Sequence, residues 1–563
     1  MFIKLRYLHS PDNAQSISCR CKYNDLSSNS HILYTKKSKK SYFSIAISKN
    51  ICNFAPKLKY IVEVHKKHKD STINMKETVK KALTGDFNRK KGLMFLITAL
   101  LTVLVWNLPI DCFGIEGLTV VQQRIIAIFV MAVMLWLTEA IPAWATSVVI
   151  IFVLLFGASN SAFNIMQGSE GEYGNLLEYQ GIMACFADPT IILFLGGFIM
   201  AIAATKSRLD VLMAKTLIAP FGKRSENVLL GFMLITGIFS MFISNTATAA
   251  MMLTFLTPVF KALPANGKGR IALTMAIPIG ANLGGMGTPI GTPPNAFAYK
   301  VLTAPDGLNL DIGFGDWMMI MCPMVIVMLV IAWFIIRKMF PFSQKTIDLK
   351  IEGEIEFNWR TIVVAGTFVL TILLWIFGKN YLGINANTVA MLPIAVFAFT
   401  GVITANDLKE IDWAVIWMVA GGFALGLAMN GTGLAEAAVK SIPFGEFNPF
   451  VIMVVSGLVC FALSNFISNT ATAALLIPIL TVVCAGMGHS LDAIGGTSTI
   501  IIGVAVAASC AMSLPISTPP NAIAYSTGLI QQTDMVKAGL SIGVISMIIG
   551  YAVLITFCKM GVL

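Results

Sequence analysis

Apolar segments dominate the chain from residue 93 onward, and short polar stretches separate them. Most run for about 17 to 23 residues, the length that an α-helix needs to cross a bilayer. Their positions predict eleven membrane spans, at about 93–110, 123–140, 143–158, 188–205, 270–302, 316–337, 360–378, 387–402, 412–430, 498–530 and 536–557. The pattern therefore predicts an all-α polytopic membrane protein.

The fifth and tenth spans are too long and too interrupted to be single helices. The fifth contains Gly-Gly-Met-Gly-Thr-Pro-Ile-Gly-Thr-Pro-Pro-Asn at 284–295, and the tenth contains Leu-Pro-Ile-Ser-Thr-Pro-Pro-Asn at 514–521. Proline removes a backbone donor and glycine loosens the helix, so carbonyl groups are released at these points. We expect both spans to be discontinuous helices.

Two further apolar segments, 226–262 and 449–487, carry Ser-Asn-Thr near their centres. A polar tripeptide is costly in lipid unless it lines a site or a cavity. The first segment has basic flanks on both sides, whereas the flanks of the second are mostly acidic. Because basic loops stay in the cytoplasm, we expect two re-entrant hairpins, the first opening inward and the second outward. For the first segment, two full spans remain an alternative.

Three strings recur at one spacing along the chain, with offsets of 225, 224 and 226 residues. They are Gly-Gly-Phe at 196 and 421, Ser-Asn-Thr at 244 and 468, and Thr-Pro-Pro-Asn at 292 and 518. Three landmarks at one spacing indicate a duplication, and the opposite openings of the hairpins make the two repeats inverted. We place the repeats at 93–337 and 359–558, joined by a cytoplasmic linker at 338–358. Sites in such transporters lie where the repeats meet.

Composition excludes an ordinary soluble protein, since 56% of the residues are hydrophobic and 12% are charged. The net charge of +11 arises in residues 1–92, where 20 Lys and Arg face 6 Asp and Glu. We interpret 1–92 as a basic, cytoplasmic, largely disordered tail that follows the positive-inside rule, not as a nucleic-acid-binding segment. An organellar transit peptide is an open alternative, and Met75 is a possible start of translation. The C-terminus is expected outside.

The chemistry-bearing residues do not predict an enzyme. The ten cysteines are scattered without a CxxC pair, and the spans contain no Ser/His/Asp, metal-binding or paired-carboxylate arrangement. A chain of acidic residues or histidines in mid-membrane, as a proton relay needs, is also absent from the sequence. This pattern favours Na⁺ over H⁺ as a coupling ion. Glu139, at the end of the second span, is either functional or a plain helix-end residue.

A Ser-Asn-Thr break has two kinds of ligand side by side. Backbone carbonyls and the Ser and Asn oxygens suit a small cation such as Na⁺. The free N–H groups at the start of the following helix suit a carboxylate. Thr292 and Thr518 can donate to the same anion, while carbonyls near Gly291 and Ser517 are free for Na⁺. The structural alternative is helix capping, or hydrogen bonding between helices by the Ser and Thr side chains.

These strings resemble the divalent anion:sodium symporter family, which includes sodium-coupled dicarboxylate, citrate and sulfate carriers. The resemblance covers about 90–558 and rests on the paired Ser-Asn-Thr and Thr-Pro-Pro-Asn strings. Trp-Leu-Thr-Glu-Ala-Ile-Pro at 136–142 also resembles a family string, and so does 509–521. Met512 stands there where Phe is usual, and Ala524 follows where Val is usual, which puts only fine specificity in doubt.

The resemblance implies eleven spans with two hairpins, a homodimer, and scaffold and transport domains that work as an elevator. It implies one Na⁺ site at Ser244, Asn245 and Gly291 and another at Ser468, Asn469 and Ser517. The implied substrate-binding residues are Ser244, Asn245, Thr246, Thr292, Pro293, Ser468, Asn469, Thr470, Thr518 and Pro519. Arginine is not required, because helix dipoles and bound Na⁺ neutralise the anion.

The expected function is Na⁺-coupled uptake of a divalent anion across the plasma membrane. Proline beside threonine at 292–293 and 518–519 resembles the dicarboxylate-type members of the family more than the citrate or sulfate ones, which favours a C4-dicarboxylate such as succinate, malate or fumarate. A dicarboxylate exchanger of the same fold and an anion channel are the alternatives. The sequence leaves the anion, the Na⁺ stoichiometry and the role of residues 1–74 open.

Overall fold

A computed structural model gives the fold as two units, residues 1–88 and 89–563. In the first unit it describes three strands, β1 (Lys4–Leu8), β2 (Gln15–Arg20) and β3 (Ser30–Tyr34). In the second it describes residues 89–560 apart from 168–172, 266, 306, 348–357 and 442–445.

The three strands form an antiparallel sheet in the order β1-β2-β3. Ile17 at its centre pairs with Tyr7 on one side and Ile32 on the other. These three segments contain β-branched and aromatic residues, which favour paired, extended backbone. The largely disordered tail stays a prediction. The rest of that tail, up to residue 88, lies outside the described residues.

In the described residues, the segment predicted as the first repeat and its flanks contain eleven α-helices. They are α1 (Arg89–Asn107), α2 (Val120–Thr138), α3 (Ala143–Gly157), α4 (Tyr179–Ala184), α5 (Pro189–Lys206), α6 (Leu209–Ile218), α7 (Ser225–Ser240), α8 (Asn245–Lys261), α9 (Lys268–Gly284), α10 (Pro293–Thr303) and α11 (Phe314–Met339).

The second repeat contains ten more. They are α12 (Trp359–Leu382), α13 (Ala386–Val389), α14 (Met391–Phe399), α15 (Trp413–Gly431), α16 (Leu434–Ser441), α17 (Pro449–Phe466), α18 (Asn469–Met487), α19 (Thr497–Cys510), α20 (Pro519–Ser526) and α21 (Gln532–Lys559). Across the described part of 89–560 the regular elements are thus helical, as the all-α prediction requires.

Nine helical segments in the described residues are long and apolar enough to cross a membrane, and four shorter apolar helices accompany them. The nine include α17 and α18, which the sequence predicts as the arms of one hairpin. The predicted spans 270–302 and 498–530 are each divided in two, at 285–292 and 511–518. The count of eleven spans plus two hairpins therefore remains a prediction.

The helices of the two repeats are interleaved. Helix α10 packs on α18 and α19, and in the matching arrangement α20 packs on α8 and α9. Helix α5 packs on α14, and α15 packs on α3. Each repeat therefore contributes to the surroundings of the other, and the core runs through both.

The first glycine of each Gly-Gly-Phe string lies where two of these helices meet. A Cβ atom added at Gly196 would lie 2.7 Å from the carbonyl oxygen of Ala390, and one added at Gly421 would lie 2.3 Å from the Cβ of Ser147. Because any side chain at these positions would collide with the neighbouring helix, the two glycines set how closely α5 and α15 approach the opposite repeat.

Candidate functional site

Each Ser-Asn-Thr string starts a helix. Asn245 is the first residue of α8, and the Ser244 hydroxyl caps this helix by accepting from the Ala247 N–H over 3.3 Å. Ser468 caps α18 in the same way, accepting from the Ala471 N–H over 3.2 Å. The capping alternative therefore describes the serine side chains, and it leaves the asparagine side chains for another role.

Each Thr-Pro-Pro-Asn string also starts a helix, and its asparagine braces the break before it. The Asn295 amide nitrogen donates to the carbonyl oxygens of Gly285, Met286 and Thr288 over 3.1, 3.2 and 2.7 Å. The Asn521 amide nitrogen donates to Met512 and Leu514 over 2.8 and 2.9 Å. Carbonyls that leave a helix inside an apolar core need such donors. These two asparagines therefore hold the breaks in shape.

The four strings meet at one cavity of about 170 Å³. All the residues predicted for the substrate and Na⁺ sites line it, namely Ser244, Asn245, Thr246, Gly291, Thr292, Pro293, Ser468, Asn469, Thr470, Ser517, Thr518 and Pro519. Sequence reasoning missed eight other lining residues, which are Phe194, Phe198, Asn282, Ile290, Asp412, Val415, Met418 and Pro520. Glu139 is not among the lining residues.

Oxygen atoms crowd the end of the Asn245 side chain. Its terminal amide lies 2.5 Å from the Ser240 hydroxyl, 3.0 Å from the carbonyl oxygen of Gly291 and 3.3 Å from that of Ala281. With its nitrogen turned towards these atoms, the amide donates to both carbonyls. With its oxygen turned towards them, four oxygens converge, an arrangement that a small cation would satisfy.

Beside the second Ser-Asn-Thr string, the buried side-chain oxygens of Asn469 and Ser464 lack a strong partner. The Oδ1 of Asn469 makes no hydrogen bond, and the Ser464 hydroxyl has only the neighbouring Cys460 thiol, a weak partner. The Ser517 hydroxyl, in contrast, is used within the fold, because it donates to the carbonyl oxygen of Asn465 over 2.9 Å and accepts from the Leu514 N–H over 3.0 Å. A buried oxygen without a donor is one that a bound cation would satisfy.

The sequence does mark Ser240 and Ser464 as candidates for the site. Each lies four residues before the serine of its Ser-Asn-Thr string, so the duplicated string is longer at its N-terminal end than the three letters that marked it. Asn282 had no such signal, because the matching position 226 residues later is Ala508.

Asn282 joins the two repeats beside the cavity. Its amide nitrogen donates to the Thr518 hydroxyl over 3.1 Å and to the Oδ1 of Asn521 over 3.3 Å. Its own Oδ1 is buried without a partner. The side chain therefore fixes the second break against α9 and leaves one free acceptor.

Helix dipoles set the electrostatics of the cavity. The first residues of α8, α10, α18 and α20 are Asn245, Pro293, Asn469 and Pro519, and all four line it. Each helix N-terminus acts as a partial positive charge of roughly half an elementary charge. Among the described lining residues none is Lys, Arg or His, and Asp412 is the one ionisable side chain. The cavity can therefore hold an anion through backbone N–H groups and small polar side chains.

The described residues contain no group of three His, Cys, Asp or Glu side chains that could hold a metal ion. The oxygens around Asn245 and Asn469 are neutral, and neutral oxygens suit a weakly held monovalent cation better than a tightly bound divalent one.

Comparisons with known proteins agree on a transporter. A family model described as Citrate transporter matches residues 133–501. An uncharacterized transporter of Haemophilus influenzae is 30% identical over 483 residues, which cover 82% of this chain and 96% of that protein. The sodium-dependent dicarboxylate transporter SdcS of Staphylococcus saprophyticus is 30% identical over 517 residues, covering 83% of this chain and 94% of that one.

Solved structures give a more distant likeness. The YdaH transporter of Alcanivorax borkumensis aligns with a TM-score of 0.48 and 11% identity, covering 74% of this chain and 98% of that chain.

Proposed function

The chain belongs to the divalent anion:sodium symporter family, and we propose that it couples Na⁺ entry to the uptake of a C4-dicarboxylate such as succinate, malate or fumarate. The observation that carries the proposal is a cavity onto which four helix N-termini open and which no described basic side chain lines. Such a cavity favours a small anion, and the oxygens beside it favour a small cation. A relative of this family is named as a sodium-dependent dicarboxylate transporter.

One Na⁺ is assigned to Ser244, Asn245 and Gly291, with the Ser240 hydroxyl as a further ligand. The carbonyl oxygens of Gly291 and Ala281 and the Ser240 hydroxyl, which surround the Asn245 amide, support this assignment. A second Na⁺ is assigned to Ser468, Asn469 and Ser517, with Ser464 added. The orphaned oxygens of Asn469 and Ser464 support it, since Na⁺ would satisfy both. Here Ser517 would contribute its carbonyl, because its hydroxyl is engaged elsewhere.

The dicarboxylate is assigned to the space between the two Ser-Asn-Thr strings. Ser244, Asn245 and Thr246 would receive one carboxylate and Ser468, Asn469 and Thr470 the other. The Thr292 and Thr518 hydroxyls and the adjoining Pro293 and Pro519 would close the sides. The Asn282 Oδ1, which has no donor, is an acceptor for a hydroxyl of malate.

Coupling follows from the shared residues. Asn245 and Asn469 belong to the cation and the anion sites alike, so Na⁺ would order each helix start before the dianion binds. When more Na⁺ charge enters than substrate charge, uptake is electrogenic and is driven by roughly 2.3 kcal/mol per net charge per 100 mV.

We further propose inverted repeats with two re-entrant hairpins, a homodimer, and an elevator motion of a transport domain against a scaffold. In support, α7 packs on α8 and α17 packs on α18, as the arms of hairpins do. The protein is a multi-pass protein of the plasma membrane. We propose a cytoplasmic N-terminus and an external C-terminus on the distribution of basic loops.

The test is uptake of radiolabelled succinate into proteoliposomes with and without an inward Na⁺ gradient. We expect accumulation that depends on the gradient and collapses when a sodium ionophore dissipates it. Sodium-independent uptake that requires internal dicarboxylate would instead identify an exchanger and contradict the proposal. Single-channel currents would identify a channel.

A further inference from the structure

Asp412 is a carboxylate in a cavity that is otherwise built to receive an anion. It precedes α15, and its Oδ1 caps the helix by accepting from the Val415 N–H over 3.3 Å. Asp412, Val415 and Met418 lie three residues apart, so they share one face of α15, and all three line the cavity. The side chain is exposed, so its charge is free to act on ions in the cavity.

The matching carboxylate of the first repeat is neutralised, whereas Asp412 is not. Asp188 caps α5 as Asp412 caps α15, and the Lys300 ammonium lies 2.6 Å from its Oδ2. The position 226 residues after Lys300 is Ser526. Among the described residues no cation forms an ion pair with Asp412. The duplication has therefore left one carboxylate paired and the other facing the cavity.

We propose that Asp412 sets the charge selectivity of this cavity, drawing Na⁺ in and weakening the binding of each anion according to its charge. The inference rests on the proposed function, since it takes the cavity as the place where Na⁺ and the anion bind. A trianion such as citrate is then disfavoured relative to a dianion such as succinate, although both are small carboxylates.

A fixed charge acts on all ions through one potential, so its effects on different ions are linked. If the charge multiplies the local concentration of Na⁺ by a factor f, it multiplies the local concentration of a dianion by 1/f² and that of a trianion by 1/f³. For one charge a few ångströms away in partly aqueous surroundings, f is roughly two.

Asp412→Asn removes the charge and keeps the helix cap, because asparagine caps as well as aspartate does. We expect the Na⁺ half-saturation to rise about twofold, the succinate Kd to fall about fourfold and the citrate Kd to fall about eightfold. The measurement is scintillation-proximity binding of radiolabelled succinate and citrate to purified protein in nanodiscs, at about pH 8 so that citrate is a trianion. Asp412→Ser, which also retains a cap, provides a second neutral variant.

Asp407→Asn is the matched control, since it removes the same charge five residues earlier. Asp407 does not line the cavity. Lys206, which donates to it over 2.6 Å, lowers the pKa of the Asp407 carboxyl to about 2, so this residue is fully ionised in the assay. We expect this variant to bind all three ions as the wild type does.

Equal changes for succinate and citrate, or no change in either neutral variant, would overturn the role of Asp412 while leaving the proposed function intact. If the wild type shows no Na⁺-dependent succinate binding, the proposed function fails and this inference fails with it.

Discussion

Asn245 and Asn469 are the residues on which the two proposed ligands converge. Both stand one residue after a serine that caps the helix, so the helix start does not depend on the asparagine side chain. The Asn245 amide instead lies among oxygen atoms, the Asn469 Oδ1 is buried without a partner, and both residues line the cavity. At each string, therefore, the serine caps the helix and the asparagine is left for the proposed binding of ligands.

Replacing either asparagine with alanine tests that separation. We expect Asn245→Ala and Asn469→Ala each to lower Na⁺-dependent succinate uptake by at least about tenfold, since a hydrogen bond to a charged group contributes about 1.5–3 kcal/mol. The elution profiles of both variants in gel filtration should match that of the wild type. Asn406→Ala, in an exposed loop outside the cavity, is the control. Normal uptake by both cavity variants would contradict the site assignment.

Replacing Ser464 should change the Na⁺ dependence of uptake without lowering the stability of the protein. Its buried hydroxyl lacks a strong partner, so Ser464→Ala should leave the apparent melting temperature unchanged or slightly higher. If the hydroxyl binds Na⁺, the half-saturating Na⁺ concentration for uptake should rise about fivefold. Ser456→Ala, whose hydroxyl donates within α17 over 3.1 Å, should not alter Na⁺ dependence. Unchanged Na⁺ dependence in Ser464→Ala would remove this residue from the second cation site.

At the scale of elements, duplicated strings made the helix starts predictable. The segments 226–262 and 449–487 coincide within one residue with α7–α8 and α17–α18, because a polar tripeptide inside an apolar run can only end one helix and begin another. The breaks at 285–292 and 511–518 were predictable from proline and glycine for the same local reason.

Other features depend on packing and could not be predicted. Phe194 and Met418 line the cavity, yet within apolar spans they look like any residue that faces lipid or core. Asn282 stands in one repeat only, so comparison of the repeats does not reveal it. Strands β1, β2 and β3 were not predicted either, because short alternating segments in a charged tail carry little hydrophobic signal.

The contact between α15 and α3 gives a prediction at the element scale. Gly421→Ala would place a Cβ atom 2.3 Å from that of Ser147, and such overpacking costs about 1–3 kcal/mol. We expect a lower apparent melting temperature in a thiol-reactive dye assay. Gly426→Ala, on the same helix with no atom within 4 Å of the added Cβ, should be neutral or stabilising. Equal melting temperatures for the two variants would show that α15 and α3 can move apart without cost.

At the scale of the whole molecule, neither repeat encloses the cavity alone. The first supplies the N-termini of α8 and α10, and the second supplies those of α18 and α20. The packing of α10 on α18 and of α20 on α8 brings the four together. Two polypeptides that together contain both repeats should therefore form the same cavity.

Dividing the chain within the linker 338–358 tests this expectation. Co-expression of the two halves should restore Na⁺-dependent succinate uptake, whereas neither half alone should show any, because each supplies only two of the four helix N-termini. Co-expression with Asn469→Ala in the second half should abolish the restored uptake. Uptake by a single half would contradict the shared cavity.

The cavity is lined by both predicted repeats, and this has a consequence for how the chain could have evolved. If the proposed inverted repeats arose by duplication, a single ancestral repeat would have formed this cavity only as a pair of identical subunits inserted in the membrane in opposite orientations. In that pair symmetry would have forced every substitution to occur twice. Fusion into one chain would remove this constraint, and Asn282 does differ from Ala508 and Gly291 from Ser517. The positions where the repeats disagree therefore mark what evolution gained after fusion, and they are the first places to look for differences in substrate among relatives.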